Sequence, residues 1–370
     1  MRIIVDRNIR GAEATFGQHG ELVQMDGREI RKQDLEGADL LIIRTATKAN
    51  AELLDGTSVR FVGTTSIGTD HLDIPWLDQH GICWSNAPGC NADSAAQYTL
   101  AMMSLACERL GRILEEQRVG IIGRGNVGSR LQKLLQALDV ETVANDPPLA
   151  DAGETGLVSQ AEALTCDIVS LHVPLTKQGP YPTLRMIATE QLAQMPSGAL
   201  LVNAARGDVA DGPALLDGIR SGKVHAALDV WPGEPLLSSE LLERSVVATP
   251  HVAGYSDDGK RNGTWIVYEA FCEWSGQTPV ARDGFDSDRL SLSIRDPANT
   301  LDQALDAACF VTDHDRALKA LSPQAAEEIA RGFDRLRKEY PFRRDFHGWD
   351  ISCQDSEAGA LLTRLGFNVE

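Results

Sequence analysis

Ten short runs of apolar residues recur along this chain, with amphipathic or Ala-rich stretches between them. They are RIIV (2–5), DLLIIR (39–44), VRFVGT (59–64), GICWS (81–85), RVGIIG (118–123), VETVAND (140–146), DIVSLHV (167–173), GALLVNA (198–204), VHAALDV (224–230) and SVVAT (245–249). Runs apolar throughout, not at alternate positions, suit strands buried on both faces, and helices between them imply right-handed βαβ crossovers. The expected fold class is therefore α/β, with doubly wound parallel sheets. Two sets of runs flank a long helical candidate at 92–114, whose Ala and Leu content favours helix. A second long candidate, SDDGKRNGTWIVYEAFCEWSG (256–276), opens with Ser and two Asp, which suit a helix N-terminus. From GQTPVARDGFDSD onward the elements shorten, which marks a smaller α+β appendage.

With 370 residues the chain calls for two or three domains of about 100–200 residues each. Its net charge of -18 argues against a nucleic-acid partner, since phosphate backbones need a basic face. No apolar run approaches the ~20 residues of a membrane span, and MRIIVDRNIR lacks the apolar core of a secretory signal, so a cytoplasmic protein is expected. Seven cysteines, odd in number and without C-x-x-C spacing, are expected to be reduced thiols, with no metal site.

The most specific motif is VGIIGRGNVG. Gly123, Gly125 and Gly128 form G-x-G-x-x-G directly after an apolar strand and before a helical run. The first glycine permits a tight turn, the second lets backbone approach a pyrophosphate, and the third lets helix and strand pack closely. Asn126 and Val127 lie between them, at a helix N-terminus suited to an anion. Asp146 in VANDPP, eighteen residues after Gly128, can accept hydrogen bonds from an adenosine ribose and repel a 2′-phosphate. The cofactor is thus expected to be NAD in preference to NADP.

Three more segments follow apolar strands, at the edge where open α/β sheets bind ligands. NAARGDVAD supplies Arg206, ALDVWPGEP supplies Asp229 and Glu234, and TPHVAGY supplies His251. Singly, each has an ordinary explanation: a surface cation, a helix cap, a solvated loop acid, a structural imidazole. Together they fit oxidation of a 2-hydroxy acid. Arg206 can hold carboxylate and carbonyl oxygens, His251 can take the hydroxyl proton, and Glu234 can orient the imidazole. His71 and His172 read as structural, and Cys90 has no partner that would make it a nucleophile.

The segments FVGTTSIGTDHLD, NAPGCNADSAAQYTLAMM, VGIIGRGNVG, DIVSLHVPLT, NAARGDVAD, ALDVWPGEP and TPHVAGY together resemble the D-2-hydroxyacid dehydrogenase family over roughly residues 1–275. Within it, IIRTATK, NDPP, KQGPYPTL, HVAGYSDDGKRNGT and the extra C-terminal domain are similar to members that oxidise 4-phospho-D-erythronate in vitamin B6 biosynthesis. The resemblance implies catalytic roles for Arg206, Glu234 and His251, and substrate contacts at Thr45, Ser66 and Tyr255. It implies cofactor contacts at Asp146, Val173, Ala204, Ala205, Asp229 and Gly254 besides the glycine loop. Thr65 and Ser66 vary the family's small polar pair, and Val173 stands where Thr is frequent.

The same resemblance implies a discontinuous substrate-binding domain (1–93 and 254–280), an NAD-binding domain (94–253) and a C-terminal dimerisation domain (281–370), with substrate in a cleft that closes against water. Arg44 is a candidate phosphate contact or a strand-end surface cation. Arg343 and Arg344 in FRRDF are expected at the surface, with a contact to substrate phosphate or to a partner subunit as the alternative. Two other functions stay open: another dehydrogenase of the family, of phosphoglycerate or glyoxylate type, and a regulatory protein that senses NAD without catalysis.

Overall fold

All ten apolar runs contain strands of parallel sheets, most of them buried along their length. The computed structural model describes residues 1–282, 288–294 and 299–370. Residues 283–287, inside the stretch GQTPVARDGFDSD where the pattern changes, and residues 295–298 lie outside the described residues. The chain divides into two compact units, one formed by Met1–Asn91 with Ser256–Asp288 and the other by Ala92–Tyr255 with Arg289–Glu370.

In the first unit the strands are β1 (Arg2–Asp6), β2 (Glu21–Met25), β3 (Leu40–Ile43), β4 (Phe61–Thr64) and β5 (Cys83–Ser85). They form one sheet in the order β2-β1-β3-β4-β5, every pair parallel. Successive residues serve opposite cores. Ile3, Val5, Leu40 and Ile42 pack with Val267, Tyr268 and Phe271 of the helix Asp257–Ser275, whereas Ile4, Leu41 and Ile43 pack with Leu53, Leu54 and Leu77. That helix starts as its sequence suggested, with the Ser256 hydroxyl accepting a hydrogen bond from the Gly259 amide at 2.8 Å.

The second unit holds β6 (Arg118–Ile122), β7 (Glu141–Asn145), β8 (Ile168–Leu171), β9 (Ala199–Asn203), β10 (Val224–Leu228) and β11 (Val247–Ala248). Their order is β11-β10-β9-β8-β6-β7, again all parallel. Order reverses beside β6, the strand that carries the glycine motif, which is where doubly wound sheets bind ligands. The helix Ala92–Arg109 is buried along most of its length, so its apolar surface is not confined to one stripe.

Residues 289–370 have their own parallel sheet, β12 (Leu290–Ile294), β13 (Trp349–Cys353) and β14 (Asn368–Val369), in that order. Among the described residues, their helices do not enclose a separate core. Leu305, Phe346 and Leu362 join Tyr98, Met102 and Val119 in one hydrophobic cluster, while Leu318, Ile329 and Phe333 join Leu228, Leu241 and Ala248 in another. The composition shift after residue 280 therefore marks a change of element length within one packed unit. No described helix is long and apolar enough to cross a membrane.

Candidate active site

Beyond β6 the chain turns at Gly123 with φ +93°, a left-handed conformation that glycine adopts without cost. A Cβ there would meet the His172 carbonyl at 2.8 Å, and one at Gly128 would stand 1.9 Å from the Gly123 carbonyl oxygen. Gly125, the N-cap of the helix Asn126–Ala137, has open space where its Cβ would be. Two glycines thus serve close packing, and the middle one faces a cavity of about 410 Å³. Ile122, Val173, Pro147 and Pro148 give this cavity apolar walls, and Asp146 is at its rim. The Asp146 carboxylate accepts hydrogen bonds from the Arg124 amide (2.7 Å) and the Leu149 amide (3.2 Å), which fixes its direction at the end of β7. A glycine turn, helix N-terminal amides and a fixed acid beside an apolar slot fit a dinucleotide. His172 lines the same cavity, with Nε2 2.8 Å from the Ser170 hydroxyl and a buried Nδ1 that lacks a partner among the described residues. Burial lowers its pKa to about 4, so it is neutral, in keeping with a structural part.

Arg206, Glu234 and His251 follow β9, β10 and β11, which are adjacent in the sheet. The turn after β9 is held by Asn203, whose Oδ1 accepts from the Ala205 amide (3.1 Å) and whose Nδ2 donates to the Arg206 carbonyl (3.0 Å). Ala204 and Ala205 lie inside this turn and Arg206 is exposed at its end. Gly207 cannot be replaced freely, since a Cβ would approach the Trp231 carbonyl oxygen to 1.9 Å. His251 Nδ1 and Glu234 Oε1 are 2.6 Å apart, and Glu234 Oε2 accepts from the Trp231 amide at 3.1 Å. Burial pushes the Glu234 carboxyl up. The hydrogen bond and charge of His251, the Trp231 amide and the charge of Arg337 outweigh it and hold the group below its ordinary range. An ionised carboxylate on Nδ1 orients the ring and leaves Nε2 for chemistry.

His251 has φ +57°, uncommon for a residue with a Cβ, and the surroundings impose it. Asp229, 1% exposed, accepts from the Thr249 hydroxyl (2.7 Å) and the Val252 amide (2.9 Å) with one oxygen and from the Ala253 amide (2.9 Å) with the other. The Trp231 indole donates to the Thr249 carbonyl at 2.9 Å. The carboxylate of Asp229, expected as a cofactor contact, also braces the loop on both sides of His251. Sequence reasoning did not find this positioning part, nor those of Asn203 and Trp231, because their partners are set by tertiary contacts.

Gly254 and Tyr255 close the loop. The Tyr255 hydroxyl accepts from Arg337 at 3.2 Å, and its ring meets Tyr340 edge-on at 5.5 Å. Arg343 and Arg344, expected at the surface, are 1% and 2% exposed, which corrects that expectation. Arg343 donates to the carbonyls of Ser94 (2.6 Å) and Ala253 (3.1 Å) and lies 5.2 Å from the Tyr98 ring centroid. Backbone carbonyls and an aromatic face replace the water this guanidinium loses.

In the other unit, Thr45 and Ser66 follow β3 and β4, which are neighbours, so the topology places both at one sheet edge. Thr45 is exposed and Ser66 is half-buried, its carbonyl accepting from the Ala87 amide. Arg44 is paired with Asp6 through Nε (2.9 Å) and a terminal nitrogen (3.3 Å), so its charge is already balanced. His71 bonds the Thr64 hydroxyl at 2.8 Å, and burial lifts the Cys90 thiol to about 11, which leaves it protonated.

Dinucleotide cradle and Arg–Glu–His edge, on one sheet, define the NAD-dependent dehydrogenases of D-2-hydroxy acids. Residues 94–253 match the family described as D-isomer specific 2-hydroxyacid dehydrogenase, NAD binding domain. The D-lactate dehydrogenase of Aquifex aeolicus, solved with NAD and lactic acid, superposes with a TM-score of 0.56 at 26% identity, covering 75% of this chain and 96% of that one. Over its whole length this chain is 42% identical to the erythronate-4-phosphate dehydrogenase of Yersinia enterocolitica, with 100% of each chain covered. Identity to the enzyme of that name from Teredinibacter turnerae is also 42%, covering 100% of this chain and 99% of the other. The chain belongs to the erythronate-4-phosphate dehydrogenase family and is an NAD-dependent oxidoreductase.

Proposed function

We propose that this enzyme oxidises 4-phospho-D-erythronate to 3-hydroxy-2-oxo-4-phosphooxybutanoate in vitamin B6 biosynthesis. The observation that carries the chemistry is the 2.6 Å contact of His251 with Glu234, on strand ends adjacent to that of Arg206. Arg206 holds the substrate carboxylate through its planar fork of donors. His251 Nε2 takes the proton of the C2 hydroxyl as the carbonyl forms, and Glu234 stabilises the resulting imidazolium. NAD, when bound, supplies the acceptor for the hydride from C2. Gly123, Gly125, Asn126, Val127, Gly128, Asp146, Val173, Ala204, Ala205, Asp229 and Gly254 would hold it, and Thr45, Ser66 and Tyr255 contact the substrate.

The test is a panel of 4-phosphoerythronate, 3-phosphoglycerate and glyoxylate, each assayed with its nicotinamide partner. A clear preference in kcat/KM for the first supports the reading, and preference for either of the others overturns the substrate. No turnover of any of them, with NAD still bound, favours a regulatory protein. The same reading carries a homodimer formed through residues 281–370, checked by light scattering on the full chain. A cytoplasmic location agrees with seven cysteines that are all free.

A further inference from the structure

A phosphorylated substrate brings a dianionic group to a protein of net charge -18, so a local cation has to receive it. The arginines that the sequence put forward are engaged elsewhere. Arg44 is paired with Asp6, and Arg343 is buried on backbone carbonyls and the Tyr98 ring. Arg344 is as deeply buried as Arg343.

Arg337, in the last turn of the helix Ala326–Lys338, is different. One of its terminal nitrogens donates to the Tyr255 hydroxyl at 3.2 Å, and its guanidinium carbon lies 5.9 Å and 5.5 Å from the ring centroids of Tyr255 and Phe333. Its Nε is buried without a hydrogen-bond partner among the described residues. Among the described residues no carboxylate forms an ion pair with it. Its charge is nonetheless felt by Glu234, where it helps to keep the carboxyl ionised. Two aromatic rings flank this guanidinium. Its five donors exceed what the protein accepts, and a half-buried cation with no counter-ion is electrostatically incomplete.

The geometry points to Arg337 as a specificity-determining residue that binds the phosphate of the substrate beside Tyr255, through donors the protein leaves unused. The inference rests on the substrate reading above. A guanidinium suits a phosphate because its fork matches two oxygens at once. Arg206 already serves the carboxylate, so the two anionic ends of one substrate have separate cations.

The test uses full-length wild type, Arg337→Met and Arg337→Lys. Methionine keeps an apolar stem against Tyr255 and Phe333. Two readouts are taken: kcat/KM for 4-phosphoerythronate relative to unphosphorylated erythronate, and calorimetric binding of inorganic phosphate. Hydrogen bonds to a charged group are worth about 1.5–3 kcal/mol, so selectivity for the phosphorylated acid is expected to fall about 10- to 100-fold in Arg337→Met. The fall lies mainly in KM, phosphate binding disappears, and Lys recovers part of both. Equal loss on the two acids, or phosphate affinity retained in Arg337→Met, overturns the assignment. If wild type ignores 4-phosphoerythronate yet binds phosphate only with Arg337 intact, the substrate reading fails and the phosphate site stands.

Discussion

The guanidinium of Arg343 donates to the carbonyl of Ala253 across 3.1 Å, which joins the loop of His251 to a residue 90 positions further along the chain. The same side chain reaches the Ser94 carbonyl at the start of the helix Ala92–Arg109. With Asp229 holding the amides of Val252 and Ala253, the catalytic loop is fastened through both its N–H and C=O groups.

Replacing Arg343 by Met leaves two buried carbonyls without this donor, at about 1–3 kcal/mol each. Urea unfolding should show a loss of that order, and kcat should fall more than NAD affinity. Arg343→Lys, which keeps the charge but reaches fewer acceptors, should lie between. Wild-type kcat in a folded Arg343→Met protein would count against a positioning part.

His251→Ala should abolish turnover while NAD binding, followed by quenching of protein fluorescence, persists. Glu234→Gln should lower kcat by about 10²-fold or more, the usual range for a positioned acid–base group. Glu234 is held below its ordinary 4.5, so its ionised form stabilises the fold above that value and the contribution is lost as pH falls through the lowered pKa. The stability gap between wild type and Glu234→Gln should be present at neutral pH and close in acid. A gap that widened on acidification would contradict the assignment.

Asp229→Asn sets an amide N–H2 against backbone amides that need an acceptor. About 1–3 kcal/mol of stability should go with it, and kcat should drop because the left-handed turn at His251 is no longer imposed. Denaturant unfolding and steady-state kinetics on one preparation separate the two effects.

The glycines should divide by role. Gly128→Ala puts a Cβ 1.9 Å from a carbonyl oxygen and should destabilise the unit, whereas Gly125→Ala meets nothing and should fold normally. The second variant should nevertheless bind NAD more weakly, since its methyl group occupies space open to the pyrophosphate. Calorimetry of NAD binding beside thermal unfolding distinguishes the two.

The strands legible in the sequence are those that contain an uninterrupted apolar run, most of them buried along their length. The missed strand β2, ELVQM, is an edge strand with Glu and Gln among its residues and mostly half-exposed positions. Strand β12, LSLSI, alternates because only one set of its residues turns inward. Arg206, Glu234 and His251 could be found because each closely follows an apolar strand, so local pattern and site coincide. Arg337 and Arg343 could not. One lies in a highly charged helix and the other in FRRDF, and nothing local says that a guanidinium there will be covered. The composition change after residue 280 was visible, yet which core those residues complete depends on long-range packing.

The order in which the ribosome delivers these parts has a consequence. His251 and Glu234 emerge well before Arg343, so a nascent chain already carrying the acid–base pair has a loop fastened on one side only. Catalytic competence is therefore a property of the finished polypeptide: a chain terminated between His251 and FRRDF carries the imidazole but lacks both the Arg343 tie to its loop and the residues that complete the core beneath it.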